Sequence, residues 1–149
     1  MEIATLDIRD AVDSDAEAVA DLLIELGYPV QPADLSLRLR KFTSLGNGRV
    51  LVAVADGFVC AVAAVETTYP IHHPEPVAHL SAFAVSRLAR RQGVGRRLLG
   101  AVEQAARDAG CRDVVVTSAE HRADAHAFYP SAGWGLTGRR FGKHFGRDE

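Results

Sequence analysis

Apolar residues recur along this chain with two different periods, and the switches between them mark its elements. Residues 3–9 alternate loosely between apolar and polar, the pattern of a first strand. After Asp13, the positions Ala16, Val19, Ala20, Leu23 and Leu26 fall at helical spacing, and Gly27 follows at once. Asp13 is therefore expected as a helix N-cap and Gly27 as the stop. Pro32, favoured in a first helical turn, opens a second helix that buries Leu35, Leu39 and Phe42 and ends before Gly46-Asn47-Gly48. Residues 50–55 and 58–67 are apolar or β-branched runs joined by Asp56-Gly57, which predicts adjacent antiparallel strands around a tight turn. A polar, proline-containing loop over 68–76 leads to a strand over 77–85. Residues 93–109 set Val94, Leu98, Val102, Ala105 and Ala109 on one helical face, with Gly110 as the stop. Residues 113–117 form a short β-branched strand, apolar enough for a central place in a sheet. A helix over 122–129 is ended or kinked by Pro130, and two strands over 133–137 and 139–145 close the chain. The order β-α-α-β-β-β-α-β-α-β-β, without repeat or linker, predicts one α/β domain over residues 1–149 with a mixed sheet.

Composition narrows the class. The 149 residues are 48% apolar and 24% charged, which suits a globular core that needs no disulfide staples. A net charge of −2 gives no overall field that selects nucleic acid or anionic lipid. All cations but Lys41 and Lys143 are arginines, so where they cluster matters more than their number. Cys60 and Cys111 lie in or beside apolar stretches without metal-ligand spacing and are expected as buried or half-buried thiols in a reducing cytoplasm. Glu2, Asp7 and Arg9 leave no apolar signal segment at the start, and the apolar span 50–65 is broken by Asp56-Gly57 and too short to cross a bilayer. The expectation is a soluble cytoplasmic protein with no membrane partner.

The most informative segment runs Val85-Ser86-Arg87-Leu88-Ala89-Arg90-Arg91-Gln92-Gly93-Val94-Gly95-Arg96-Arg97. A strand ends, a loop follows, and a helix begins with Gly93 and Gly95 in its first turn. Glycines there clear room for a ligand, while first-turn N–H groups lack helical partners and sit at the positive end of the helix dipole. Phosphates suit such a place. Five arginines and no acid between Arg87 and Arg97 could add bidentate phosphate contacts. The segment lacks the Gly-Lys-Ser/Thr ending of a nucleotide-hydrolysing loop and the third glycine of a dinucleotide fold.

Arg90-Arg91-Gln92-Gly93-Val94-Gly95 resembles the Arg/Gln-x-x-Gly-x-Gly/Ala signature of the GNAT superfamily of acyl-CoA-dependent N-acetyltransferases. His121 to Trp134, with Ala125-His126-Ala127-Phe128-Tyr129-Pro130-Ser131-Ala132-Gly133 at its centre, is similar to that family's Ala-x-x-Phe-Tyr-x-x-x-Gly-Phe block. The resemblance implies a single domain with a central, mixed, mostly antiparallel twisted sheet flanked by helices. It also implies acetyl-CoA as cosubstrate and an amine as acceptor. The main chain of Phe83, Ala84 and Val85 would run along the pantetheine, as an added strand does. The N–H groups of Arg91, Gln92, Gly93, Val94, Gly95 and Arg96, with Arg90 beside them, would take the diphosphate. Arg122 stands where many relatives carry a cofactor-contacting asparagine, and Tyr129 falls on the tyrosine that protonates the departing thiolate. Pro130 departs from the pattern and disfavours helical geometry at Tyr129.

The general base stays open. Where some relatives have a glutamate on the strand 113–117, this chain has Thr117, which cannot serve. Glu66 follows an apolar run, and His79 alternates with Ser81 and Phe83 on one strand face. Either could take the proton, as could a water chain. His72, His73, His79 and Glu75 fit no common closed zinc site, so no metal is expected. The segments 27–31 and 68–76, with Tyr28, Tyr69, His72, His73 and Glu75, are expected to line the acceptor site and match no specificity motif. The strand-rich C-terminus permits a homodimer. Two other classes are weighed against the enzyme. One is a non-catalytic acyl-CoA-binding or regulatory domain; the other is a nucleic-acid module on Arg87–Arg97, disfavoured by the net charge and the absence of interleaved aromatics.

Overall fold

Five strands of a computed structural model form one sheet in the order β1-β2-β3-β4-β5, the structure describing residues 2–117, 123–138 and 140–146. The strands are β1 (Leu6–Asp10), β2 (Gly48–Ala55), β3 (Phe58–Thr68), β4 (Val77–Val85) and β5 (Asp113–Val116). The first four pair antiparallel and β5 joins β4 in parallel, which is the mixed, mostly antiparallel sheet expected. Asp56 (φ 47°) and Gly57 (φ 90°) make the β2–β3 turn, both left-handed as a twist-matched two-residue hairpin requires. The Asp56 carboxylate accepts from the N–H groups of Ala4 (3.1 Å) and Thr5 (2.7 Å), fastening the start of β1 to that turn.

Helices cover both faces. On one, α1 (Ala16–Glu25) and α2 (Pro32–Ser44) bury Val19, Ala20, Leu22 and Leu35 against Val50, Val52, Val62 and Ala84. On the other, α3 (Val94–Asp108) buries Val94, Leu98, Leu99, Val102, Ala105 and Ala106. There three alanines line the sheet: Ala53 pairs with Ala61, and Ala63 with Leu51, all buried. Two-sided cover explains why β2 and β3 read as continuous apolar runs rather than alternating ones.

Several limits differ from expectation. Asp13 does not cap α1; the chain makes one 3-10 turn over Asp13–Asp15 first. Asp15 is the buried acid there, taking Val12 N–H (2.8 Å) and both Arg9 terminal nitrogens (2.7 and 3.0 Å), while Asp13 faces Arg40 across 3.7 Å. β5 stands last in the described sheet rather than inside it.

By internal contacts the chain divides into two compact units, Met1–Val116 and Thr117–Glu149, each described by itself. The second holds α4 (Ala123–Ser131). Pro130 does not end this helix before Tyr129; it lies inside the last turn, one residue before the end at Ser131, so the helix end falls after Tyr129. That turn closes through Ala132 N–H to Phe128 O (3.1 Å) and Gly133 N–H to Pro130 O (3.0 Å). The two strands expected over 133–137 and 139–145 do not form among the described residues. Leu136 and Phe141 are 95% and 92% exposed, and Gly135, Gly138 and Gly142 weaken any strand there.

Candidate active site

β4 carries the feature from which the site is built. Its pairing with β3 slips between Ala64 and Val65: Ala64 faces Ala82, Val65 faces Leu80, and Ser81 is left as an extra, bulged residue. The parallel ladder to β5 stops at the same point, with the pair Leu80↔Val116. Residues 81–85 therefore run on past the end of β5. This is the stretch on which Phe83, Ala84 and Val85 were expected to offer main-chain groups. Ala84 is buried against α1, and Phe83 and Val85 are half-buried.

Beyond Val85 the chain is tightly directed. Ser86 N–H bonds Cys60 O (2.8 Å), and Ser86 Oγ accepts from Leu88 N–H (3.3 Å) to start a 3-10 turn over Arg87–Ala89. Arg91 (φ 63°) and Gly93 (φ 80°) are both left-handed and bracket Gln92. A non-glycine residue seldom adopts that conformation, and such strain concentrates at functional turns. Arg97 N–H bonds Gly93 O (3.1 Å) as α3 begins, so Val94 and Gly95 stand in the first turn, where N–H groups precede the i→i−4 ladder. Val94 is 1% exposed and anchors this end in the core, while Arg90, Arg91, Arg96 and Arg97 are exposed. No acid lies in the first turn. The exposed Gln92 side chain bonds back to the protein, accepting from Ile3 N–H (2.9 Å) and donating to Leu88 O (3.4 Å). What the turn presents is main chain and arginine, the chemistry for a phosphate.

Glu66 and His79, weighed separately as bases, are cross-strand partners. They pair directly in the β3–β4 register, with His79 Nδ1 3.4 Å from Glu66 Oε1 and about a third of each side chain exposed. The expected face is corrected by the bulge. Residues that pair across strands share a face, so His79 goes with Glu66 on the α1–α2 side. Phe83, paired with Ala63 beyond the bulge, falls on the α3 side. On the far flank of Glu66 stands Gly48, against which Phe42 packs so closely that an added Cβ would meet Phe42 O at 2.6 Å. The bulge was not legible in advance, because Ala78, Leu80, Ala82 and Ala84 keep an unbroken alternation through it.

The remaining candidates are spread out. His73 Nδ1 lies 2.8 Å from Glu75 O and its Nε2 3.3 Å from Asp113 Oδ2, so it ties the 69–76 loop to the start of β5. Among the described residues no three potential metal ligands come together, and no helix is long and apolar enough to cross a membrane. Tyr28 and Tyr69 are 50% and 74% exposed. Burial pushes both cysteine thiols above their ordinary range, which keeps them protonated and weakly nucleophilic at neutral pH. Tyr129 belongs to the second unit, stacked edge-on with Phe128 (5.4 Å) and tilted against Trp134 (5.5 Å). Arg122 lies outside the described residues.

Known proteins resemble the chain in sequence and in shape. A profile of the acetyltransferase (GNAT) family matches residues 16–134. Aminoglycoside N(6')-acetyltransferase type 1 of Stenotrophomonas maltophilia is 31% identical over 135 residues, covering 89% of this chain and 88% of its own. Among solved structures, aminoglycoside N-acetyltransferase AAC(6')-Iy in complex with CoA superposes with a TM-score of 0.83 at 19% identity, over 95% of each chain. Glucosamine-6-phosphate N-acetyltransferase from Arabidopsis thaliana gives 0.81 at 19%, over 95% of this chain and 99% of its own. A transcriptional regulator from Bacillus halodurans gives 0.85 at 21%, over 95% and 100%. At these identities the structural likeness speaks for the fold.

Proposed function

The chain belongs to the acetyltransferase (GNAT) family and is an acyltransferase, and from that premise we propose that it moves an acetyl group from acetyl-CoA to a primary amine by direct attack in a ternary complex. The observation that carries this reading is the coincidence at one end of β4. The β5 ladder stops beside a bulge at Ser81, and once β4 ends at Val85 the chain leads through one 3-10 turn to a glycine turn with helix-start N–H groups.

In this reading the main chain of Phe83, Ala84 and Val85 pairs with the pantetheine amides. The diphosphate rests on the N–H groups of Arg91, Gln92, Gly93, Val94, Gly95 and Arg96, with the arginines, Arg90 included, supplying charge. Arg122 is a further cofactor contact. The pair Glu66–His79 takes the proton of the attacking ammonium, Glu66 orienting the imidazole or accepting the proton through it. The amine nitrogen then bonds to the thioester carbon, and a backbone N–H steadies the oxygen as it gains charge. When the C–S bond breaks, the electron pair leaves on sulfur, Tyr129 gives it a proton, and the second proton shed by the nitrogen as the amide forms restores the Tyr129 hydroxyl. Buried, protonated Cys60 and Cys111 suit a route without an acyl-enzyme. We place this chemistry in the cytoplasm, where such thiols stay reduced.

The sequence relative supplies the first acceptor class to try, an aminoglycoside amine. The test is a CoA-release assay over aminoglycosides, small amines, peptide N-termini and protein lysines. The parent is expected to turn over at least one class, with His79→Gln slower by about 10²-fold and Glu66→Gln by less. A Tyr129→Phe rate equal to the parent's at every pH removes the acid role from Tyr129. CoA binding without turnover of any amine overturns the reading.

A further inference from the structure

The last residue of α1 is an acid, and that placement runs against the helix itself. Glu25 sits where the helix dipole is negative, and the last turn of α1 has no basic residue to offset it. The end is held by backbone instead, through Gly27 N–H to Ile24 O (3.0 Å) and Tyr28 N–H to Leu23 O (2.9 Å). With the helix closed in this way, the Glu25 carboxylate is used elsewhere. Its Oε1 accepts from Arg87 N–H at 3.1 Å and lies 3.7 Å from Arg87 Nε. Arg87 is the second residue past β4, and the bond reaches across 62 positions of sequence. The Glu25 side chain is 27% exposed and the Arg87 side chain is mostly in solvent (72%), so the main-chain bond outweighs the ion pair.

The neighbouring donors show what this bond does. Ser86 N–H is held by Cys60 O, Leu88 N–H by Ser86 Oγ and Ala89 N–H by Ser86 O. At Arg87 it is the side chain of another element that fixes the path into the Arg91–Gly93 turn. A carboxylate beside an anion site works against the anion in charge alone, and a residue that breaks a local rule twice calls for a tertiary reason. We propose that Glu25 is a positioning residue for the cosubstrate: through Arg87 N–H it sets the course of the 87–93 loop on which the diphosphate rests. The inference rests on the acetyl-CoA reading above. It also ties the end of α1, two residues before the 27–31 segment assigned to the acceptor, to the cosubstrate loop.

Calorimetric titration of the full chain with coenzyme A, beside thermal melting without ligand, tests it. Glu25→Gln keeps an accepting oxygen and is expected to bind within about twofold of the parent, while Glu25→Ala weakens binding about tenfold, one such hydrogen bond. Glu25→Asp keeps the charge but shortens the reach, and is expected to weaken binding as Ala does. Removing a misplaced helix-end charge leaves the melting temperature of Glu25→Ala and Glu25→Gln equal or higher. With saturating acetyl-CoA, kcat holds and the loss falls on KM. Unchanged coenzyme A affinity in Glu25→Ala and Glu25→Asp overturns the inference alone, as does a Glu25→Gln loss as large as that of Ala. A parent that binds no coenzyme A overturns the acetyl-CoA reading and this inference with it.

Discussion

Asp15 and Arg9 make the sharpest single-residue test of the fold. The Arg9 guanidinium bonds hold the Asp15 carboxyl below the usual carboxylate range, with Val12 N–H adding to them, although burial pulls the other way. A carboxyl lowered on folding contributes stability that is complete above its unfolded value and is lost as pH falls through the folded one. Asp15→Asn keeps the shape, loses the charge, and is expected to cost about 1–2 kcal/mol near neutral pH, Arg9 being well exposed. Urea unfolding at a series of pH values is the check. The parent should lose stability on acidification below the ordinary carboxylate range, and the gap to Asp15→Asn should close. The same pair shows why Asp13 misled: Asp13, Asp15 and Glu17 all stand near the helix start, and Arg9 on the preceding strand pairs with Asp15.

Two glycines separate conformational from steric demand at the level of elements. Gly93 ends the cosubstrate loop at φ 80°, and an added Cβ there meets nothing within 4 Å. Gly93→Ala therefore carries only backbone strain, about 1 kcal/mol. Gly48 is the reverse case, for its Cβ would lie 2.6 Å from Phe42 O and 2.7 Å from the Phe42 ring. Overpacking of this kind costs about 1–3 kcal/mol and pushes the end of α2 off the strand beside Glu66. Denaturant midpoints should rank Gly48→Ala below Gly93→Ala. Coenzyme A affinity should rank them the other way, because the strained turn is the proposed ligand site.

For the molecule as a whole, the proposal of one domain over residues 1–149 and the proposal of a cosubstrate meet in one experiment. The unit Thr117–Glu149 is too short to carry an independent core, so scanning calorimetry should show a single transition. Coenzyme A at a hundredfold excess over its Kd adds about 2.7 kcal/mol, or roughly 5–10 °C for a chain of this size. Two transitions, or none moved by coenzyme A, would contradict the respective proposal. The amino-acid order alone determined the limits of β4, the Asp56-Gly57 turn, the Pro32 helix start and the glycine turn at Gly93, because each is written in periodicity or φ preference within a few residues. It left the Ser81 bulge hidden under an unbroken alternation, Glu66 and His79 as rivals rather than partners, and Glu25 unremarked. Those were decided by register and packing between segments 13 to 62 residues apart. Which donor meets which acceptor at that range is a property of the assembled sheet, and local sequence holds no record of it.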